Sequence, residues 1–175
     1  MARYVAEHID DLTLPFRRYQ MQKVWRGERA QRGRFREFYQ YDIDVIGTSG
    51  SLIDAEIPTV IYNVFTKLGL KNFIISIGHR KLFAGYFDML GIDIGHDIVM
   101  RWLDKLDKVD TGEVASALRD VGLVDDQVRR IFEFVKISGT NQDVLGTLSD
   151  IPDQNDVFKQ GLYELQAIRK AMLLL

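Results

Sequence analysis

The stretch from Phe38 to Val45 alternates so strictly that it specifies its own backbone. Tyr39, Tyr41, Ile43 and Val45 fall on one side, and Phe38, Gln40, Asp42 and Asp44 on the other. That period of two is the mark of a β-strand, and the β-branched and aromatic content agrees with it. A second strand-like stretch runs from about Arg18 to Glu28, where Arg26 and Glu28 share a face at the same period. The connection from Arg29 to Phe35 is polar and contains Gly33, as a long hairpin loop should be. Together these segments predict an antiparallel hairpin with an apolar underside and a polar, charged upper side. A polar face alone is equally what plain exposure to solvent produces.

The hairpin carries the chain's densest run of positive charge. Between Arg17 and Arg36 lie eight basic residues and one acid, Glu28, a local charge of +7 in a chain whose net charge is −2, so the remainder carries −9. A basic island in an otherwise acidic protein points to a local anion site rather than a general polyanion surface; a solvated basic loop is the plainer alternative. His8, His79 and His96 are scattered without ligand spacing, so no metal site is expected. The absence of cysteine excludes disulfides and thiolate chemistry and fits a reducing cytoplasm. No run approaches the roughly 20 apolar residues that cross a bilayer, and the first residues lack the apolar core of a signal peptide.

Beyond the glycine-rich break at 47–50, Ile57, Val60, Ile61, Val64, Phe65 and Leu68 follow helical spacing. Asp54 is a candidate N-cap, Pro58 lies in or just past the first turn, and Gly69 is a stop. Phe73 to Ile77 reads as a short buried strand, and Arg80 to Leu90 as a second helix ending at Gly91. From about Asp97 the texture is helical only. A stripe including Ile98 and Trp102 comes first, then a helix from Thr111, one capped at Asp125 or Asp126, and one capped at Thr140. A final helix runs from about Asp156 to Leu174. The order of elements suggests helices packed on one antiparallel sheet, followed by a small helical subdomain, with the domains at 1–94 and 95–175.

The segment Trp25-Arg26-Gly27-Glu28-Arg29 continues through Gly33-Arg34-Phe35-Arg36 to Phe38-Tyr39-Gln40. It resembles motif 2 of class II aminoacyl-tRNA synthetases in the histidyl form. Flanking strings resemble the same family, from Arg3-Tyr4-Val5 and Leu14-Pro15-Phe16 upstream to Asp42-Ile43-Asp44 and Gly78-His79-Arg80 downstream, so the likeness covers residues 1 to about 92. The resemblance implies an α+β fold: part of the class II antiparallel sheet with flanking helices, then the helical subdomain. It also implies a histidine–tRNA ligase that activates histidine with ATP, Mg2+ accompanying the nucleotide, and passes it to tRNA(His). A cytoplasmic homodimer is expected of the parent, with no DNA or membrane partner.

The same resemblance assigns roles. Arg26 would touch the ATP α-phosphate and the histidine carboxylate, because a planar, always-charged guanidinium suits the charge that grows on the transition state's oxygens. Glu28 would accept from the adenine amino group, Phe38 would stack on adenine, and Arg34 would reach the β- and γ-phosphates, with Arg36 a weaker candidate. Gln40 would contact histidine, and Asp44 would hold its ammonium; the family more often has Glu at the latter position. Tyr41 and Asp42 also depart from the family, and Asp42 has no assigned role. Motif 1, the threonine loop, the histidine-specific segments and motif 3 are not found. The chain is therefore expected to be an excised piece, inactive alone. The regulatory subunit of ATP phosphoribosyltransferase, a paralogue that binds without aminoacylating, is the alternative. A synthetase-like sensor domain and a generic basic interaction module stand further off.

Overall fold

A computed structural model describes residues 1–174. After a short helix α1 (Ala2–Glu7) come strands β1 (Phe16–Trp25) and β2 (Glu37–Ile46) and the helix α2 (Ser51–Lys67). The helices α3 (Arg80–Met89), α4 (His96–Leu103), α5 (Thr111–Asp120), α6 (Asp125–Val135), α7 (Asn141–Ser149) and α8 (Asp156–Met172) follow. This is an α+β chain with a two-stranded antiparallel sheet. Packing divides it into two units, Met1–Ile75 with the C-terminal residues from Ala171, and Ser76–Lys170. That division lies ahead of the change of texture near 95, because α3 contributes Leu82, Tyr86 and Phe87 to the helical core.

The helical unit holds nearly all the buried apolar surface. Val99, Val114, Leu118, Ile131 and Phe158, from α4, α5, α6 and α8, are fully enclosed, and Tyr86 stacks on Phe134 with ring centroids 4.2 Å apart. Of the expected caps, Thr140 stands at the start of α7 as read, whereas α6 follows an N-cap at Val124 and already includes Asp125 and Asp126, so neither aspartate caps it. Asp110 accepts from the Gly112 N–H at 2.7 Å, and Thr140 and Asp143 satisfy each other's backbone donors at the start of α7. Gln127 binds the Val124 N–H and the Leu90 carbonyl, fastening the start of α6 to the end of α3.

In the first unit the strands contain no buried residue, and the enclosed side chains of α2 are Ala55 and Pro58. Three expectations change here. The helix α2 begins at Ser51, a turn earlier than an Asp54 cap would allow, because the Ile53 and Asp54 N–H groups both bond back to Gly50 O. Pro58 therefore sits inside the helix rather than in its first turn. Phe73 to Ile77 forms no strand, and Ile74 is 91% exposed. A ladder needs a neighbour, and β1 and β2 pair only with each other among the described residues. The supposed apolar underside is largely open as well. Tyr19, Met21, Tyr39 and Tyr41 are exposed, and only its far end, at Ile43 and Val45, lies beside Ile57 and Val60 of α2. The face holding Phe38, Gln40, Asp42 and Asp44 is half-buried instead.

Candidate functional site

One register organises the hairpin. Phe16 pairs with Ile46, Arg18 with Asp44, Gln20 with Asp42, Gln22 with Gln40 and Val24 with Phe38. Directly opposed residues project to the same side of an antiparallel ribbon, so the even-numbered positions of both strands form one surface. The ladder continues one step past the strand ends, where the Arg26 N–H donates to Arg36 O at 2.9 Å. Arg26 thereby stays on the even face although β1 ends at Trp25. Its guanidinium carbon lies 5.0 Å from the centroid of the Phe38 ring, and its Nη2 donates to Gln40 Oε1 at 3.0 Å. Gln40 in turn donates through Nε2 to Asp42 Oδ1 at 2.6 Å. An aromatic face below and an amide oxygen beside it hold this cation in one pose.

At the tip, Gln31 and Arg34 exchange backbone hydrogen bonds of 3.2 and 2.9 Å, closing a tight turn in which Gly33 adopts φ +76°. A side chain at that φ would be strained, which accounts for the glycine. The turn brings Arg34 into an ion pair with Glu28, while Arg36 Nε donates to Glu28 O at 3.3 Å. Arg26, Glu28, Arg29, Arg34, Phe35 and Phe38 line a cleft of about 260 Å³. Three guanidinium-bearing residues, one carboxylate and two aromatic rings suit a ligand that is flat and apolar at one end and polyanionic at the other.

Of the residues singled out from sequence, Arg26, Glu28, Arg34 and Phe38 meet around this cleft, and Gln40 joins them through Arg26. Asp44 lies on the same face but four residues beyond Gln40, roughly 13 Å along the strand. There it forms an ion pair with Arg18, whose Nη1 also donates to Gln20 Oε1 at 2.7 Å. Sequence reasoning passed over Arg18 and left Asp42 unassigned. Extending the ladder from Arg26 and Arg36 would have placed Arg18 opposite Asp44. On the reverse face, Trp25 Nε1 and Lys23 Nζ donate to Glu37 at 2.9 and 2.8 Å. Lys23 first, and then Trp25, hold its carboxyl below the usual range. Arg17 reaches Glu56 of α2 at 2.7 Å and lowers its pKa likewise. Among the described residues no three His, Asp or Glu side chains converge as a metal cluster, and no helix is long and apolar enough to cross a membrane.

The sequence profile of the histidyl-tRNA synthetase family matches residues 1–173. A histidine–tRNA ligase of Clostridium tetani is 46% identical over 171 residues, covering 96% of this chain and 38% of the relative. One from Finegoldia magna is 38% identical over 99% of this chain and 40% of the relative. The crystal structure of histidyl-tRNA synthetase from Nostoc sp. PCC 7120 superposes with a TM-score of 0.88 at 35% identity, over 99% of this chain and 40% of that one. A Bacillus halodurans structure described as an ATP phosphoribosyltransferase regulatory subunit/histidyl-tRNA synthetase shares the fold, with a TM-score of 0.78 at 22% identity, over 99% of this chain and 44% of that one. The chain thus spans about two-fifths of the length of the relatives it matches.

Proposed function

Since the chain belongs to the histidyl-tRNA synthetase family, we propose that it is the motif 2 portion of a histidine–tRNA ligase and presents one wall of the site where ATP and histidine react. The observation that carries this reading is the pose of Arg26, stacked on Phe38 and bonded to Gln40 on the polar face of the hairpin. In the reaction a histidine carboxylate oxygen attacks the α-phosphorus of ATP. The new P–O bond forms as the bond to the β-phosphate oxygen breaks, and pyrophosphate leaves with the electron pair. Charge builds on the equatorial oxygens, and a guanidinium already fixed in place needs no reorganisation to meet it. Phe38 takes one face of adenine, which brings the α-phosphate toward Arg26. Glu28 accepts from the adenine amino group and Arg34 turns to the β- and γ-phosphates, so the nucleotide replaces their mutual ion pair. Gln40 and Asp44 meet the histidine.

Mg2+ is expected with ATP, but this cleft does not fit the holding of it: its one carboxylate, Glu28, is given to adenine, and no cluster of three acidic or histidine side chains exists among the described residues. The phosphate charge facing this hairpin is met by its arginines. Loop arginines also suit the phosphates of the tRNA acceptor end, which they would bind without reading sequence. A homodimeric, cytoplasmic parent belongs to the same proposal.

The test is ATP–pyrophosphate exchange in the complete protein that carries this segment. Arg26→Ala should lower the histidine-dependent rate by about 10²–10³, and an undiminished rate would remove Arg26 from the chemistry. The regulatory-subunit reading stays in play through the fold shared with the Bacillus halodurans structure. Persistence of the Arg26–Phe38–Gln40 constellation favours the ligase, and charging of tRNA(His) by the complete protein discriminates the two.

A further inference from the structure

Arg17 and Arg18 are adjacent, yet the hairpin sends them to opposite faces for different work. Arg17 crosses to Glu56 and ties β1 to α2. Arg18 reaches no element outside the hairpin among the described residues. It stays on the even face, opposite Asp44 in the register, and its charged end meets Asp44 and Gln20, both on the same ribbon.

The two members of the pair are covered unequally. The Arg18 side chain is 14% exposed and that of Asp44 is 40% exposed, although Asp44 Oδ2, the oxygen in the ion pair, is itself fully buried and meets Arg18 by charge, without hydrogen-bond geometry. The open part of the carboxyl group is therefore the side bearing Oδ1. Arg18 is fixed in turn, since Nη1 donates to Gln20 at 2.7 Å, while its Nε is buried without a partner. A half-buried guanidinium with an unsatisfied donor is a poor way to stabilise a ribbon, because desolvation offsets much of the Coulomb gain. It is an effective way to stop a short carboxylate from rotating.

We propose that Arg18 is a positioning residue for the amino acid end of the site: it grips Oδ2 of Asp44 from below and leaves Oδ1 turned outward to accept the ammonium of the substrate. This deepens the proposed function and rests on the role given there to Asp44. The nearby positive charge also opposes the incoming ammonium. The pair is worth keeping for binding only if the gain from orientation exceeds that repulsion, so the direction of the effect is diagnostic.

The experiment measures histidine and ATP KM values and kcat in pyrophosphate exchange by the complete protein. Its variants are Arg18→Met, Arg18→Lys, Asp44→Asn and the double variant Arg18→Met/Asp44→Asn. Arg18→Met should raise the histidine KM roughly tenfold, the scale of losing one close charge pair at a half-covered site, with kcat and the ATP KM moving far less. Arg18→Lys should recover part of the loss, and Arg18→Met should add little once Asp44 is Asn. A histidine KM that is unchanged or lower in Arg18→Met, or losses that simply add in the double variant, would overturn the proposal. So would ATP and histidine KM values rising together in both Arg18 variants, which is the behaviour of a merely structural residue. If Asp44→Asn leaves the histidine KM untouched, the pocket reading fails and this inference with it. An Asp44→Asn effect without an Arg18→Met effect sinks the positioning role alone.

Discussion

Arg26 is held by neighbours chosen two residues apart on the partner strand, and each can be removed separately. Phe38→Ala deletes the ring beneath the guanidinium and the proposed adenine platform together. Stacking of a base on an aromatic side chain contributes about 1–3 kcal/mol, so the ATP KM should rise about tenfold or more, with the histidine KM changing less; equal changes in both would argue against an adenine platform. A different residue-scale network sits in the helical unit, where Glu164 receives Gln160 Nε2 at 2.7 Å, Lys81 Nζ at 2.5 Å and His79 Nε2 at 2.7 Å. Gln160 first, and then Lys81, lower its pKa from 4.5 to about 2. A carboxyl whose folded pKa is depressed adds stability above its unfolded pKa and loses it as pH falls through the folded one. The protein should therefore lose melting temperature between about pH 4.5 and 2, and Glu164→Gln should flatten that part of the acid profile. The same slope in the variant would show that the network contributes nothing to acid stability.

At the scale of elements, α3 and α8 approach at two glycines. A Cβ on Gly85 would fall 2.5 Å from the Phe158 backbone nitrogen, and one on Gly161 would fall 2.9 Å from the Leu82 nitrogen. Asn155 seals the contact, donating to Gly85 O and accepting from the Phe158 N–H, both at 2.9 Å. Replacing a helical glycine by alanine ordinarily stabilises by roughly 0.5–1 kcal/mol. Here overpacking against backbone that cannot rotate away should cost about 1–3 kcal/mol and win. Gly85→Ala should therefore lower the denaturation midpoint, and a raised midpoint would mean the helices separate freely. Thr140→Ala should cost about 1 kcal/mol at the start of α7, where the hydroxyl accepts from the Asp143 N–H. Denaturant melts report both. The hairpin behaves differently from these helices. Two strands form a marginal sheet by themselves, and β1 and β2 bury no residue completely.

At the scale of the whole molecule, a chain covering 38% of a relative's length offers a cleft walled by one hairpin. The purified 175-residue chain should give no histidine-dependent pyrophosphate exchange, because the cleft it offers is lined by residues 26–38 of the hairpin. Measurable exchange would show that one wall suffices. What could be read beforehand follows from how far each signal reaches along the chain. The period of two in Phe38 to Val45, the motif string around Arg26 and the Thr140 cap are written within a few residues, and the structure has β2 and α7 where those signals lie. The open aromatic face and the absence of a strand at Phe73 to Ile77 were not legible, because each depends on what lies across space rather than along sequence. Pro58 was misplaced for a local reason, the start of α2 on Gly50 O.

The amino-acid sequence by itself determined that a basic hairpin exists, that its even-numbered side chains share a surface, and which family's motif it carries. Only the tertiary structure decided that this surface, not the aromatic one, is the more covered, that Asp44 is met by Arg18, and that Arg34 rests against Glu28. Alternation follows from local backbone geometry, whereas pairing and burial follow from the register and from which element comes to lie alongside, so residues distant in the chain settle them together.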